Sequence, residues 1–199
     1  MCIAGHTPNG KADVAGAAEI DPSLGVSYGR ELAEKGVLTV CPDNAGMGER
    51  ADPEQGGCDM TWRKLNMLGY DMTGFRAYDL IRAVDLLEEL QAEGGGPLVD
   101  KDRIGIAGLS GGCWLGIVMA ALEPRVCAAA LSGFFSTFKQ TNWVGHCVCH
   151  HPFGEQRHPC RRRGRVPINI TTTKKSERNG CMLMQSVMQA LARCARCQT

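Results

Sequence analysis

The serine whose surroundings best suit covalent chemistry is Ser110, in Gly108-Leu109-Ser110-Gly111-Gly112. This run matches G-x-S-x-G. It stands between residues that read as a strand, Arg103 to Gly108, and residues that read as a helix, Gly112 to Leu122. A sharp turn at that junction lifts a hydroxyl above the carboxyl edge of a sheet, and flanking glycines keep side chains from colliding there. The helix behind it presents unpaired N–H groups and the positive end of its dipole to negative charge forming beside the serine, which makes the backbone N–H of Gly111 a candidate oxyanion donor. Two other readings compete. Ser110 could simply cap the helix inside a glycine-rich turn. Gly105, Gly108 and Gly111 could instead form a phosphate-binding turn, but the G-x-G-x-x-G order is absent and no acidic residue ends the next strand near Ser132.

Other reactive side chains fall into groups. His146, Cys147, Cys149, His150, His151, His158 and Cys160 are soft ligands able to bind zinc, and Cys194 and Cys197 form a C-x2-C pair. Their spacing is irregular, so a metal-binding module is the weaker alternative, and neither a metal nor an organic cofactor is expected. Arg161, Arg162, Arg163 and Arg165 could contact phosphates, yet no aromatic residues are interleaved; a solvated charge cluster is the plainer reading, with no nucleic-acid partner. His6 lies in a glycine-rich turn and reads as a backbone contributor rather than a base. Asp43, Glu49 and Arg50 follow an apolar run, where their expected role is to pin the next loop by hydrogen bonds.

The elements that must position Ser110 alternate. Cys2 to Ala4 is a short strand run ending in the loop Gly5-His6-Thr7-Pro8-Asn9-Gly10. Tyr28 to Lys35 reads as a helix stopped by Gly36, and Val37 to Cys41 as a buried strand ended by Pro42. Asn44 to Trp62 reads as a long loop. From Thr73 to Gln91, Ala77, Leu80, Ile81, Val84 and Leu87 recur at helical spacing before Gly94-Gly95-Gly96. Val126 to Leu131 is a further strand. Strands alternating with helices predict a parallel sheet with helices on both faces. After Gly154 the rhythm stops: Val166 to Thr172 could be a strand and Met182 to Arg193 a helix, in a tail of uncertain structure.

The totals set outer limits. With 199 residues, 44% hydrophobic and 22% charged, the chain suits one globular domain, and its net charge of +1 gives no global attraction to nucleic acid or anionic membrane. No apolar run approaches bilayer length and no secretory leader is visible, so a cytoplasmic protein without a membrane partner is expected. Eleven cysteines, odd in number and spread through apolar stretches, read mostly as buried thiols.

Residues 2 to 154 resemble the α/β-hydrolases, and within them the dienelactone hydrolase and acetyl xylan esterase-like group. The resemblance rests on Ala4-Gly5-His6-Thr7, Cys41-Pro42-Asp43-Asn44 with Gly46-Met47-Gly48-Glu49-Arg50, Asp100 to Gly105 leading into the serine turn, Ala121 to Val126, Ser132-Gly133-Phe134-Phe135 and His146 to Cys149. It implies a Ser-His-Asp mechanism on a small-molecule ester, with an oxyanion held by the backbone N–H of Gly111 and one from His6 or Thr7. It also implies an acid and a histidine downstream of the serine, and these are not identified. No aspartate follows Asp102; Glu155, Glu177 and the histidines at 146, 150, 151 and 158 are the remaining candidates, none with a defined role. The expected architecture is therefore an incomplete α/β-hydrolase fold: a core over 1–154, truncated at its N-terminus, and a basic Cys/Arg-rich tail over 155–199 that is not homologous to the family. Ester hydrolysis by Ser110 is the leading function, and a hydrolase remnant without a working acid and base is the alternative.

Overall fold

The computed structural model describes residues 1–17, 19, 26–52, 54, 57–134 and, as backbone, the strand at 168–170. Four strands, β1 (Cys2–Ile3), β2 (Ile104–Leu109), β3 (Val126–Ser132) and β4 (Ile168–Ile170), form one sheet in the order β1-β2-β3-β4, every pair parallel. Cys2 pairs with Ala107, and Ala107 with Ala130, so the carboxyl ends of the first three strands finish at one level. The register slips once: Ile104 faces Val126 but Gly105 faces Ala128, leaving Cys127 as the extra residue of a bulge.

Among the described residues, five α-helices accompany the strands: α1 (Lys11–Val14), α2 (Tyr28–Glu34), α3 (Cys58–Met67), α4 (Met72–Glu89) and α5 (Gly111–Leu122). Alternate strand residues serve opposite faces of the sheet, as a period of two requires. Ile3, Ile106, Ala129 and Leu131 join Leu80, Val84 and Leu87 of α4 and Leu115 and Met119 of α5 in one core. Cys2, Ala4, Ala107 and Ala130 join Val14, Tyr28 and Leu32 in a smaller core on the other side. Each buried leucine or valine contributes about 2 kcal/mol. Helix α4 follows the pattern read from sequence: Met72, Thr73, Arg76, Ala77, Leu80, Val84 and Leu87 are its buried positions with Ile81 half-buried beside them, and the Asp71 side chain caps it by accepting from Gly74 N–H at 2.8 Å.

Two expectations are corrected. Val37 to Cys41 is not a strand of the sheet. It runs beside β1, where the Val40 carbonyl accepts from Cys2 N–H at 2.8 Å, but Leu38 is 54% exposed. An apolar β-branched run signals burial on both faces. Here one side packs while the other meets solvent, with no further described strand beyond it, so no ladder forms. The stretch from Asn44 to Trp62 is not one long loop either: Gly48–Arg50 forms a 3-10 turn and α3 begins at Cys58. No residue of α3 is fully buried; Cys58, Trp62 and Leu65 form its half-buried side, and the Gly-, Asp- and Pro-rich residues before it read as loop. In the tail, β4 lies within the proposed Val166 to Thr172 strand, whereas the proposed helix over 182–193 and the boundary at 154 lie outside the described residues.

Behind α5, Glu123 is 3% exposed and accepts from the Arg125 backbone N–H (3.0 Å) and from its Nε (2.8 Å). Arg125 also pairs with Asp85 and Glu88, both at 2.7 Å. The side-chain hydrogen bonds from Arg125 hold the Glu123 carboxyl below the usual glutamate range. A depressed folded-state pKa stabilises above the unfolded value, about 4.3, and that stability is lost as pH falls through the folded value. Urea midpoints are therefore expected to fall on acidification below about pH 4.3, with a shallower acid decline in Glu123→Gln. Parallel declines in the two proteins would show that Glu123 is not the group responsible.

Candidate active site

Ser110 stands at the tip of the turn joining β2 to α5. It is exposed, and it has φ 54 and ψ −115, the single positive-φ residue other than glycine among the described residues. Such a conformation costs a non-glycine residue about 1–3 kcal/mol and persists only where neighbouring structure enforces it. The enforcement is visible. Ser110 N–H donates to the Ser132 carbonyl at 2.8 Å, tying the turn to the end of β3, and Ser110 O accepts from Trp114 N–H at 3.1 Å, starting α5.

The glycines of the motif interlock the three layers around this turn. A Cβ on Gly108 would lie 2.2 Å from the Gly112 carbonyl oxygen, and one on Gly112 would lie 2.1 Å from that of Ile3. The strand end, the helix start and β1 thus meet backbone to backbone. Gly111 is the first residue of α5, where a helix has no intrahelical partner for its N–H.

The loop after β1 forms the opposite wall. A Cβ on Gly5 would be 3.1 Å from the Leu109 carbonyl oxygen and 3.9 Å from Ser110 Cβ, which sets His6 and Thr7 next to the serine turn. Within that loop, Thr7 N–H is committed to the Gly5 carbonyl at 3.0 Å. The His6 ring lies 2.6 Å, Nε2 to Sγ, from Cys58. Gly133, with φ 85, closes the third side, where a Cβ would be 3.3 Å from Ser110 N.

Asp43 has the bracing role expected of it. Its buried carboxylate accepts from Lys11 N–H (2.6 Å) and Glu49 N–H (3.2 Å), and its carbonyl accepts from Arg50 Nη1 (3.2 Å). Asn44 donates to the Ala4 carbonyl at 3.1 Å, and buried Arg76 donates to Ala45 through Nε and Nη2 (3.0 and 2.6 Å). The segment that follows the apolar run is thereby held against the end of β1. Asn44 Oδ1 and Ser132 Oγ, both buried close to these strand ends, have no hydrogen-bond partner among the described residues, and groups of this kind gain most from a water or a polar ligand.

Ser110 Oγ makes no hydrogen bond to a described residue, and His6 is the one described histidine. The histidines at 146, 150, 151 and 158, Glu155, Glu177 and the Cys/His group proposed for metal all lie outside the described residues. Among the described residues no cluster of three or more His, Cys, Asp or Glu is placed to hold a metal, and no helix is long and apolar enough to cross a membrane. Sequence reading missed Cys58, which it placed in a loop, and the walling role of Gly5. Neither has a local signature, because each acts through a contact made by distant chain segments.

The comparisons agree on the fold. A solved structure from Bacteroides fragilis NCTC 9343, a provisionally named acetyl xylan esterase, matches with a TM-score of 0.59 at 23% identity, over 70% of this chain and 38% of that one. The chain thus spans well under half the length of that protein. No protein-family model and no curated protein sequence matches it.

Proposed function

We propose that this chain carries the nucleophile half of a serine ester hydrolase, with Ser110 as the attacking residue. The observation that carries this reading is the exposed serine held at φ 54 between the end of β2 and the start of a twelve-residue helix. Ser110 Oγ would attack the ester carbonyl, forming a bond to carbon as the carbonyl electrons move onto oxygen. Backbone N–H groups of Gly111 and His6 would receive that oxyanion from the two sides of the turn. The Ser110 hydroxyl proton ends on the departing alcohol oxygen as the tetrahedral adduct collapses to an acyl-serine, and water then hydrolyses that ester to the free acid and restores the serine hydroxyl. The name of the Bacteroides fragilis structure directs the substrate choice to small acetyl esters, including acetylated sugars.

The experiment is turnover of 4-nitrophenyl acetate by the purified chain, with the butyrate and octanoate esters as the size series. Hydrolysis above the buffer rate, falling as the acyl group lengthens, is the expected result. A rate equal to buffer for all three esters would leave the second reading, a serine turn without a working acid and base. That reading is favoured by one observation: Ser110 Oγ bonds to no described histidine or carboxylate, and His6 is engaged with Cys58.

A further inference from the structure

Cys58 is the first residue of α3, and its Sγ lies 2.6 Å from Nε2 of His6, a contact across 52 residues of chain. The two side chains reach that spot on separately braced backbones. Gly46, at φ 81, lets the loop after Asp43 press against Cys58, where a Cβ on Gly46 would be 2.8 Å from Cys58 Cα. His6 is exposed and Cys58 half-buried, so a reagent can approach from solvent. Cys2 and Cys113, by contrast, are buried within the two cores.

A thiol beside an imidazole is a nucleophile within reach of a base, the pairing that makes a cysteine reactive. Cys58 is the first residue of α3, whose N-cap residue Gly57 makes no side-chain cap bond, and a helix start favours negative charge beside it. From this geometry we infer that Cys58 and His6 form a thiol–imidazole dyad that takes small disulfides by exchange, next to the Ser110 turn. In the step, His6 accepts the Cys58 proton and the sulfur attacks one sulfur of the reagent disulfide. A new S–S bond forms, the old one breaks, and the departing thiolate carries off the electron pair and collects the proton from His6. The Cys58 sulfur passes from thiol to disulfide level as the released sulfur passes from disulfide to thiol level, so the reagent disulfide is the only oxidant required.

The test treats the full chain with oxidised glutathione at neutral pH and follows each cysteine by peptide mass mapping. Cys58 is expected to gain the glutathionyl group about tenfold faster than Cys127, the half-buried thiol of the β3 bulge, while Cys2 and Cys113 stay unmodified and so report an intact fold. His6→Ala and His6→Gln, each checked for an unchanged urea midpoint, are expected to slow Cys58 by about tenfold and leave Cys127 as it was. Equal rates at Cys58 and Cys127, or a Cys58 rate indifferent to both His6 variants, would overturn the inference. Fluorophosphonate labelling reads the serine and disulfide exchange reads the thiol, so either reading can fail while the other stands.

Discussion

Ser110→Ala is expected to abolish covalent labelling by a fluorophosphonate probe and to lower 4-nitrophenyl acetate turnover by about 1,000-fold or more, since the hydroxyl that attacks the ester is gone. The reason is chemical rather than structural. The hydroxyl is exposed and bonds to no described residue, so its removal leaves the fold untouched, and the Ala variant should unfold at the same urea concentration as the parent. Ser110→Gly offers a sharper test of the same site. It too should be inactive, yet it removes the cost of φ 54 on a side-chain-bearing residue and should raise stability by about 1 kcal/mol. Inactivity combined with added stability is the signature of a residue held in strain for its chemistry. Labelling that survives in Ser110→Ala would place the reactive serine elsewhere and end the reading.

Gly112→Ala carries the second large effect. Its new methyl carbon would sit 2.1 Å from the Ile3 carbonyl oxygen and 3.0 Å from that of Ala4, and neither atom can move without breaking the pairing of β1 with β2. Overpacking usually costs about 1–3 kcal/mol; here the obstacle is the backbone of β1 and the residue after it rather than a flexible side chain, so a loss of about 3 kcal/mol or more is expected in urea denaturation. Gly74→Ala is the control. Gly74 is exposed in α4, a Cβ there meets only Asp71 Oδ1 at 3.8 Å, and the capping bond uses the backbone N–H, which alanine keeps. That variant should gain up to about 1 kcal/mol from helix propensity. A Gly112→Ala protein as stable as the parent would mean that β1 does not pack on the start of α5 as described.

The strand-turn-helix unit around Ser110 was legible from residues alone because everything that makes it is local. The apolar run from Ile104, the glycines at 108, 111 and 112, and the helix closed before Pro124 lie within about twenty consecutive residues, each favouring the same geometry. The periodic face of α4 was legible for the same reason, its apolar spacing recording which side packs. Val37 to Cys41 misled because composition reports how apolar a segment is, not how many neighbouring strands it finds. Helix α3 escaped notice because it buries no residue fully and follows a Gly-, Asp- and Pro-rich stretch that reads as loop.

What only the tertiary structure decided is which distant atoms meet. The approach of Gly5 to Ser110, the seating of Gly112 on Ile3 and the contact of His6 with Cys58 join segments separated by about fifty to one hundred residues, and no local propensity encodes such pairs. The amino acids specified a strained turn able to present one hydroxyl. Packing β1 and the loop behind Asp43 against that turn determined what stands beside it, because sheet register and backbone contact, not residue type, fix those distances.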